Sequence, residues 1–293
     1  MKPRKKFRLK FGSRTLVLGE RTLVMGVLNV TPDSFSDGGK FFDVHEAIEH
    51  AIALERDGAD LLDIGAESTR PGSESIPAEE ELRRLLPVLG ALRRLVKIPI
   101  SVDTQKAEVA EAALEAGAQM INDISGLRHD ASIAEVAARR GAPLILMHMH
   151  GEPSTMQAGP FAPDVMKDVT NGLRTSVAKT RKAGVAASQI ILDPGIGFGK
   201  SYAQNYELLQ KLPLLAKLGY PLLVGTSRKG FLGATLARDG KPVPLEDRIW
   251  GTAATVAAAI LKGAHIVRVH DVAEMAQLAK VADRVVYPRL RSH

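Results

Sequence analysis

The stretch EAGAQMINDISG, residues 115–126, contains the repeating unit of this chain. A helical pattern ends at Gly117, a short apolar strand follows at once, and the strand runs into polar residues. Glycine at a helix end adopts the left-handed conformation without steric cost, so a tight helix-to-strand turn is predicted. The same unit recurs in RDGADLLDI (56–64), RRGAPLILM (139–147), KAGVAASQIIL (182–192), KLGYPLLVG (217–225) and LKGAHIVRV (261–269).

Eight apolar segments are predicted to be parallel strands, because most are near-continuous aliphatic runs typical of strands buried on both faces. The predicted strands are 22–30, 59–65, 98–103, 118–124, 142–148, 188–193, 220–226 and 264–269. The predicted helices are 43–57, 77–95, 106–116, 131–140, 164–183, 205–218, 245–262 and 272–283. Eight such βα units close into an α/β (β/α)8 TIM barrel. An open, doubly wound sheet is the structural alternative.

Residues 1–21 precede the first unit and are predicted to form a basic N-terminal tail and hairpin. The segment FRLKFGSRTLVL (7–18) has Gly12 and Ser13 at its centre, which is typical of a hairpin turn. We expect this hairpin to plug the N-terminal end of the barrel. Residues 22–293 are then a single barrel domain, since no low-complexity linker interrupts them.

Composition restricts the possible partners. The net charge is +6, and residues 1–14 carry seven Lys and Arg and no acid, so the rest of the chain is about −1. The basic residues belong either to a solvated tail or terminal hairpin, or to a segment that contacts a polyanion, but the body lacks the basic stripe that nucleic-acid binding requires. The chain has no cysteine, no secretory apolar region and no apolar run near the roughly 18 residues of a membrane span. We expect a cytoplasmic protein with no nucleic-acid or membrane partner.

Each predicted strand ends in a different polar cluster. The clusters are LNVTPDSFSDGG (28–39), DIGAESTRPG (63–72), SVDT (101–104), INDISG (121–126), LMHMHGEP (146–153), LDPGIGFGKS (192–201), VGTSRKG (224–230) and VRVHD (267–271). In a (β/α)8 barrel these ends meet at the C-terminal face, where barrel enzymes have their active sites. The sequence therefore predicts an enzyme with its site at this mouth.

Three polar residues, Asp103, Asn122 and Asp193, directly follow aliphatic strands. An unpaired carboxylate is costly in such surroundings, so these side chains need a ligand rich in N–H donors. An aminopyrimidinone edge supplies a ring N–H beside an amino group, which a carboxylate accepts side by side. The alternative is that each acid caps the following helix.

Cations follow the last two strands. Lys229 follows the seventh, and Arg268 and His270 follow the eighth and point to the same side by strand alternation. Barrels often bind phosphate at this place, and ordinary ion pairs are the alternative. In the loop after the second strand, Arg70 offers a planar fork for a carboxylate or phosphate, or is merely solvated.

Asn29 ends the first strand, before a polar, glycine-rich loop. Its carbonyl oxygen suits a hard cation such as Mg²⁺, which takes few protein ligands when phosphate and water complete its shell. The alternative is a turn whose Asx side chains bond their own backbone.

Two patterns are misleading. GIGFGKS (195–201) is similar to a Walker phosphate loop, but the first glycine of that motif would stand at position 194, which is proline. His148 and His150 alternate along the chain, so we expect them to face opposite ways, which disfavours a shared metal ion.

Over roughly residues 20–285, and in order, these motifs resemble the successive strand-end motifs of the dihydropteroate synthases. Those enzymes are (β/α)8 barrel transferases of folate biosynthesis. The resemblance implies that the chain joins 6-hydroxymethyl-7,8-dihydropterin diphosphate to p-aminobenzoate, forming 7,8-dihydropteroate and releasing diphosphate. It also implies Mg²⁺ as cofactor and sensitivity to sulfonamides, which mimic p-aminobenzoate.

The resemblance also implies residue roles. The pterin pocket is assigned to Asp103, Asn122, Met147, Asp193 and Lys229. The p-aminobenzoate site is assigned to Thr69, Arg70, Pro71, Phe198 and Ser227. The diphosphate is assigned to Asn29, Arg268 and His270, with Asn29 also on the metal. The catalytic residues are expected to be Asp103, Lys229, Arg268 and His270.

Such a reaction needs no protein nucleophile, which agrees with a chain without cysteine. Two other functions use a similar barrel, a corrinoid-linked pterin methyltransferase and a catalytically silent pterin-binding paralogue. The first releases no phosphate, so the phosphate-binding residues argue against it. The apolar helix predicted at 245–262 favours a homodimer.

Overall fold

A computed structural model of the protein describes residues 3–12, 14–31, 44–68, 73, 75–152, 155–156 and 159–288. Its strands are β1 Phe7–Phe11, β2 Arg14–Leu18, β3 Leu23–Asn29, β4 Leu61–Gly65, β5 Ile100–Asp103, β6 Met120–Asp123, β7 Leu144–Met147, β8 Ile190–Asp193, β9 Leu223–Val224 and β10 Ile266–Val269. Its helices are α1 Val44–Arg56, α2 Ala78–Leu95, α3 Ala107–Ala116, α4 Ile133–Arg140, α5 Val165–Lys182, α6 Tyr202–Gln210, α7 Leu212–Leu215, α8 Gly230–Thr235, α9 Ile249–Leu261 and α10 Val272–Val286.

Strands β3 to β10 form one parallel sheet in the order β8-β7-β6-β5-β4-β3-β10-β9. A parallel bridge between Leu192 and Leu222 brings the two edges of this sheet together, and the Leu192 N–H donates to the carbonyl of Pro221 at 3.0 Å. The sheet is therefore closed into a barrel surrounded by helices. The predicted (β/α)8 TIM barrel is confirmed, and the open sheet is excluded.

The structure departs from the predicted elements in several places, and the strand predicted at 220–226 is reduced to the two residues of β9. The helix predicted at 205–218 is divided into α6, α7 and a short 3₁₀ segment. Pro213 lies in the first turn of α7, where it fits, but it has no N–H to continue the hydrogen bonds of α6. The short helix α8, directly after Lys229, was not predicted, because GFLGAT has two glycines and no amphipathic period.

The repeated glycines close their helices as predicted. Positive φ values are found at Gly58, Gly117, Gly141, Gly184, Gly219 and Gly263. At Gly117, for example, φ is 126° and the N–H bonds back to the last turn of α3. After Gly58, Gly117, Gly141 and Gly263 the next strand begins three residues beyond the glycine, whereas after Gly184 and Gly219 it begins six and four residues beyond.

The N-terminal hairpin closes the bottom of the barrel. Strands β1 and β2 pair antiparallel, and the side chains of Leu9, Phe11 and Leu18 are buried. They pack in one cluster with the inward-facing residues at the lower end of the barrel, which are Leu23, Met25, Leu61, Met120, Ile145, Ile191, Leu223 and Ile266. The predicted plug is confirmed.

The basic tail is not simply solvated, because Arg4 is buried. Its guanidinium forms an ion pair with Asp283 of α10 and donates to the hydroxyl of Thr22 at 2.7 Å. The Asp283 carboxylate also accepts from the Thr22 N–H at 2.6 Å. The tail is thus fixed to the C-terminal helix below the barrel. None of the described helices is long and apolar enough to cross a membrane.

The inward cluster also determines which side chains reach the mouth. Side chains alternate along a strand, so the residue two positions after an inward-facing one faces inward a layer higher. This relation places polar or sulfur-containing side chains above the apolar plug, namely Asp63 after Leu61, Asn122 after Met120, Met147 after Ile145, Asp193 after Ile191 and Arg268 after Ile266.

Candidate active site

One narrow cleft opens at the C-terminal mouth of the barrel. It is lined by Asp103, Asn122, Ile124, Met147, Asp193, Gly195, Ile196, Phe198, Gly225, Ser227, Lys229, Arg268 and His270. Nine of these residues were selected from the sequence. Asn29 lies half-buried at the end of β3. Thr69, Arg70 and Pro71 lie outside the described residues.

Arg268 joins two carboxylates across the barrel. Its Nε donates to Asp63 Oδ2 at 2.6 Å, and its NH2 group donates to Asp103 Oδ2 at 2.8 Å. The structure therefore confirms that Arg268 forms ion pairs, but these do not occupy the whole guanidinium. The pairing uses only part of the five-donor guanidinium, and the side chain remains 22 % exposed.

Asp63 was missed in the sequence, although it is fully buried at the centre of this network. Its Oδ2 accepts from both Arg268 and the Asn122 side-chain amide, the latter at 2.9 Å. The signal was present, since LLDIG places an acid in the interior of an otherwise apolar strand. A buried acid needs donors to accept from, and the inward-facing residues of neighbouring strands supply them.

Asp103 is not a helix cap. Helix α3 begins after Lys106 without a side-chain cap, and Asp103 instead faces Arg268. Burial, and then the nearby Asp63 carboxylate, raise the pKa of Asp103 above the ordinary aspartate value, while Arg268 opposes the shift. The Asp103 carboxyl group thus lies beside the Arg268 guanidinium and near the Asp63 carboxylate.

Asn122 and Asp193 each keep one oxygen for the cleft. Asn122 donates its amide to Asp63, which leaves the carbonyl oxygen as acceptor. Asp193 Oδ1 accepts from the Gly195 N–H at 2.7 Å, while Ser201 caps the following helix. Burial raises the pKa of Asp193 above its ordinary value, and the Gly195 N–H opposes this.

Lys229 reaches across the cleft from the loop after β9. Its Nζ donates to the carbonyl of Ile196 at 2.7 Å and lies 3.9 Å from the centre of the Phe198 ring. Burial lowers its pKa to about 7, against the opposing effect of Asp193. The ammonium is thus held by one carbonyl and one ring, with Asp193 as its main counter-charge.

His270 is neutral at physiological pH, because burial and then Arg268 lower its pKa to about 3. Its Nδ1 lies 3.0 Å from Ser227 Oγ, so the imidazole offers hydrogen bonds but no positive charge. Arg228 is turned away and pairs with Asp271. Of the predicted cations after the last two strands, the described cleft therefore contains Lys229 and Arg268.

An apolar wall faces these polar groups. Its cleft-lining members are Ile124, Met147 and Phe198, which belong to one apolar cluster with the buried Met149 and Met156. Methionine side chains are flexible and polarizable and pack well on aromatic rings. The cleft thus joins a hydrogen-bonding edge to an apolar face, as a planar heterocycle requires.

The prediction that His148 and His150 face opposite ways is wrong. Strand β7 ends at Met147, so alternation does not continue, and both imidazoles turn toward Asp168 of α5. His150 Nδ1 lies 3.1 Å and His148 Nε2 3.5 Å from the same carboxylate oxygen. They line a wider cleft outside the barrel mouth.

The described residues include no group of three or more His, Asp or Glu that is arranged to hold a metal ion. Asn29 is at an inward-facing position of β3, two residues after Val27 and level with Gly65 of β4. A single carboxamide oxygen fits an ion such as Mg²⁺ that is held mostly by substrate phosphates and water.

A sequence profile described as pterin binding enzyme matches residues 25–270. The dihydropteroate synthase of Synechocystis sp. is 51 % identical over 275 residues, which cover 94 % of this chain and 94 % of that protein. The dihydropteroate synthase of Clostridium beijerinckii is 46 % identical over 279 residues, covering 95 % and 99 %.

Solved structures give the same result. The Xanthomonas albilineans dihydropteroate synthase with 4-aminobenzoic acid has a TM-score of 0.88 and 43 % identity, covering 97 % of this chain and 99 % of that one. The same organism's enzyme in complex with 7,8-dihydropteroate has a TM-score of 0.85 and 41 % identity, covering 96 % and 99 %. The Yersinia pestis enzyme with a sulfonamide drug has a TM-score of 0.88 and 42 % identity, covering 95 % and 99 %.

Proposed function

The chain belongs to the pterin-binding enzymes, among the dihydropteroate synthases, and we propose how its cleft performs their reaction. The substrates are 6-hydroxymethyl-7,8-dihydropterin diphosphate and p-aminobenzoate. The observation that carries the proposal is the single cleft lined by Asp103, Asn122, Asp193, Lys229 and Arg268. The relatives are named as synthases, and neither a methyltransferase nor a silent paralogue is favoured.

The pterin binds by its aminopyrimidinone edge. The free oxygens of Asp193 and Asn122 accept from the amino group and the ring N–H, because each of these side chains spends only part of its capacity within the protein. Lys229 donates to the pterin carbonyl, and Met147 packs on the ring. The buried carboxylates are costly alone, so this donor-rich edge is favoured over an apolar ring.

The reaction breaks the C–O bond between the pterin methylene and the diphosphate, which leaves with the electron pair. Arg268 binds this leaving group with the N–H donors that Asp63 and Asp103 do not use, and stabilises the charge that develops there. His270 is neutral and donates a hydrogen bond. Asp103 stabilises the positive charge that grows on the pterin.

The arylamine nitrogen of p-aminobenzoate then forms the new C–N bond and loses a proton. We place this substrate beside Phe198 and Ser227, which line the same cleft. Thr69, Arg70 and Pro71, expected to complete the site, lie outside the described residues. The glutamate before them, Glu67, forms a buried ion pair with Lys106, which fixes the start of this loop.

Asn29 is the residue proposed to hold Mg²⁺, together with the substrate diphosphate. When bound, the ion neutralises charge on the departing diphosphate. Asn29, Arg268 and His270 would bind the leaving group.

The test follows diphosphate and dihydropteroate in parallel, with each substrate and Mg²⁺ omitted in turn. Dihydropteroate that requires all three supports the proposal. Tight pterin binding without product would indicate the silent paralogue, and no pterin binding would contradict the assignment of the cleft.

Sulfonamides are proposed to bind in place of p-aminobenzoate, as the complex of the Yersinia pestis enzyme suggests. Inhibition should be competitive with p-aminobenzoate and non-competitive with the pterin. Inhibition that p-aminobenzoate does not relieve would oppose this.

A homodimer is proposed through the face of α9 and α10, where Trp250, Val281 and Val285 are 79 %, 68 % and 59 % exposed. Exposed apolar side chains clustered on adjacent helices are typical of an interface. Trp250→Glu with Val281→Glu should convert the dimer to a monomer in sedimentation velocity. A wild-type monomer would disprove it.

We also propose a cytoplasmic location, which cell fractionation tests.

A further inference from the structure

The lysine of the misleading GIGFGKS motif is buried beneath the cleft. Lys200 is 1 % exposed and is one of the largest fully buried side chains in the described part of the chain. Its Nζ donates to the carbonyls of His148 at 2.9 Å and Phe198 at 2.8 Å, and lies 3.1 Å from His148 Nδ1. An ammonium has three N–H donors; two bind these carbonyls, and the third faces His148 Nδ1, which is an acceptor in the tautomer protonated at Nε2.

These bonds join two segments that are already in close contact. A Cβ atom at Gly195 would lie 1.9 Å from the His148 carbonyl oxygen, and one at Gly199 would lie 1.9 Å from that of His150. The loop after β8 therefore lies directly against the segment after β7. Lys200 binds one carbonyl from each, so it fixes the distance between them.

The loop that Lys200 fixes carries two contacts of the cleft. The carbonyl of Ile196 accepts from Lys229, and the Phe198 ring lies under the Lys229 ammonium. Because the Phe198 carbonyl is bound by Lys200, the backbone of this residue is anchored while its ring lines the cleft. The His150 N–H also donates to this carbonyl, at 3.4 Å, so the bond from Lys200 at 2.8 Å is the shorter of the two.

We propose that Lys200 is a positioning residue for the arylamine substrate, acting through Phe198. By binding the carbonyls of Phe198 and His148, it sets the height of the aromatic ring in the cleft. Lys200 touches neither substrate. The inference rests on the proposed function, since it assumes that p-aminobenzoate binds beside Phe198.

The test is a double-mutant cycle on the full-length enzyme. Lys200→Met keeps the length of the side chain and removes its donors, and Phe198→Ala removes the ring. We expect Lys200→Met to raise the KM for p-aminobenzoate about tenfold, since displacement by about 1 Å of a substrate-positioning group costs up to roughly 100-fold. The KM for the pterin diphosphate should rise less than the KM for p-aminobenzoate, because the pterin ligand Asn122 is held by Asp63 outside this loop, whereas Asp193 and Lys229 contact Gly195 and Ile196 within it.

In the Phe198→Ala background, Lys200→Met should then have little further effect on the KM for p-aminobenzoate. A purely structural role would add its effect in both backgrounds. Lys200→Gln, which keeps two N–H donors, should restore part of the loss and serves if the methionine variant does not fold. Lys211→Met on the exposed surface of the same region is the control and should match the wild type.

Equal rises in both KM values, or full additivity with Phe198→Ala, would overturn the role of Lys200. Failure of the proposed function is distinguishable, because the wild type would then make no dihydropteroate. A wild-type enzyme that is active, with a Lys200→Met variant of unchanged p-aminobenzoate KM, rejects the inference alone.

Discussion

Substitution of Asp63 separates the charge of its carboxylate from its role as a hydrogen-bond acceptor. Its Oδ2 accepts from Arg268 and Asn122, whereas Oδ1 has no hydrogen-bond partner among the described residues. In Asp63→Asn the amide oxygen takes the Oδ2 position and keeps both bonds, and the amide nitrogen takes the Oδ1 position. Asp63→Ala removes the charge and both bonds.

The structure predicts different magnitudes for the two variants. Asp63→Asn removes the attraction between the Asp63 carboxylate and Arg268. This attraction is of the order of 4 kcal/mol for charges about 4 Å apart at an effective dielectric constant of about 20. The substitution also removes the repulsion between Asp63 and Asp103, which opposes the loss. The amide N–H groups at the Oδ1 position are left without an acceptor, which adds about 1–3 kcal/mol, and the net loss of stability should still stay below that of the alanine variant. In Asp63→Ala a guanidinium and an amide are left buried without their acceptor, which costs about 3–5 kcal/mol.

Turnover should follow the same order. Without Asp63, Asp103 is the one remaining side-chain partner of Arg268 among the described residues, and kcat should fall about 100-fold in Asp63→Ala. In Asp63→Asn the geometry is kept, so kcat should fall less than about tenfold.

The assay is urea unfolding followed by far-UV circular dichroism, at one protein concentration for all variants, together with kcat at saturating substrates. Asp283→Ala is the matched control, because it removes a buried aspartate paired with Arg4 at the opposite end of the barrel. It should lose comparable stability and keep its kcat. The reasoning is refuted if the asparagine and alanine variants of Asp63 behave alike, or if Asp63→Ala loses stability but keeps its kcat.

Three further predictions concern the cleft and its supports. Burial lowers the pKa of Lys229 to about 7, so its positive charge is lost as the pH rises through 7. The affinity for a neutral pterin, measured by calorimetry, should therefore fall above this pH, whereas Lys229→Arg stays charged and serves as the control. An affinity that does not depend on pH would contradict the role of Lys229. In Gly197→Ala the new Cβ would lie 2.7 Å from Lys229 Cδ, and the φ of +85° at this residue is strained for alanine. Pterin affinity should therefore fall about tenfold. Gly90→Ala is the control, because its new Cβ meets no atom within 4 Å. In Lys106→Met the buried Glu81 loses its ion-pair partner at 2.7 Å, which should lower the free energy of unfolding by about 3–5 kcal/mol in urea. Because burial already raises the pKa of Glu81, this loss should be largest at neutral pH and shrink as the pH falls toward the ordinary pKa of glutamate. A loss of stability that does not vary with pH would contradict this reasoning.

The barrel was predictable because its signals are local. The glycine at each helix end and the aliphatic run after it lie within about ten residues, and a left-handed turn followed by a buried strand is determined by backbone sterics and hydrophobicity. The hairpin plug was predictable for the same reason. The position of Pro213 also indicates that the helix predicted at 205–218 is interrupted, because proline has no N–H to donate to the preceding turn. The helical period of the surrounding residues nevertheless favoured one continuous helix.

The membership of the cleft was also largely predictable, since every parallel strand delivers its end to the same mouth. What the sequence could not determine is how those side chains pair across the barrel. Arg268 binds Asp63 from 205 positions away, and no local pattern specifies that contact. It depends on the inward layer in which the two strands place their side chains.

Tertiary structure alone also decided the charge states and the direction of two lysines. His270 is neutral because it is buried beside Arg268, a condition that composition does not contain. Lys200 and Lys229 follow similar glycine-rich stretches, yet one turns inward to three acceptors and the other crosses the cleft. Local sequence fixes which residues reach the mouth; long-range packing decides which of them are desolvated, paired and available to a substrate, because desolvation and pairing depend on neighbours that are distant in the chain.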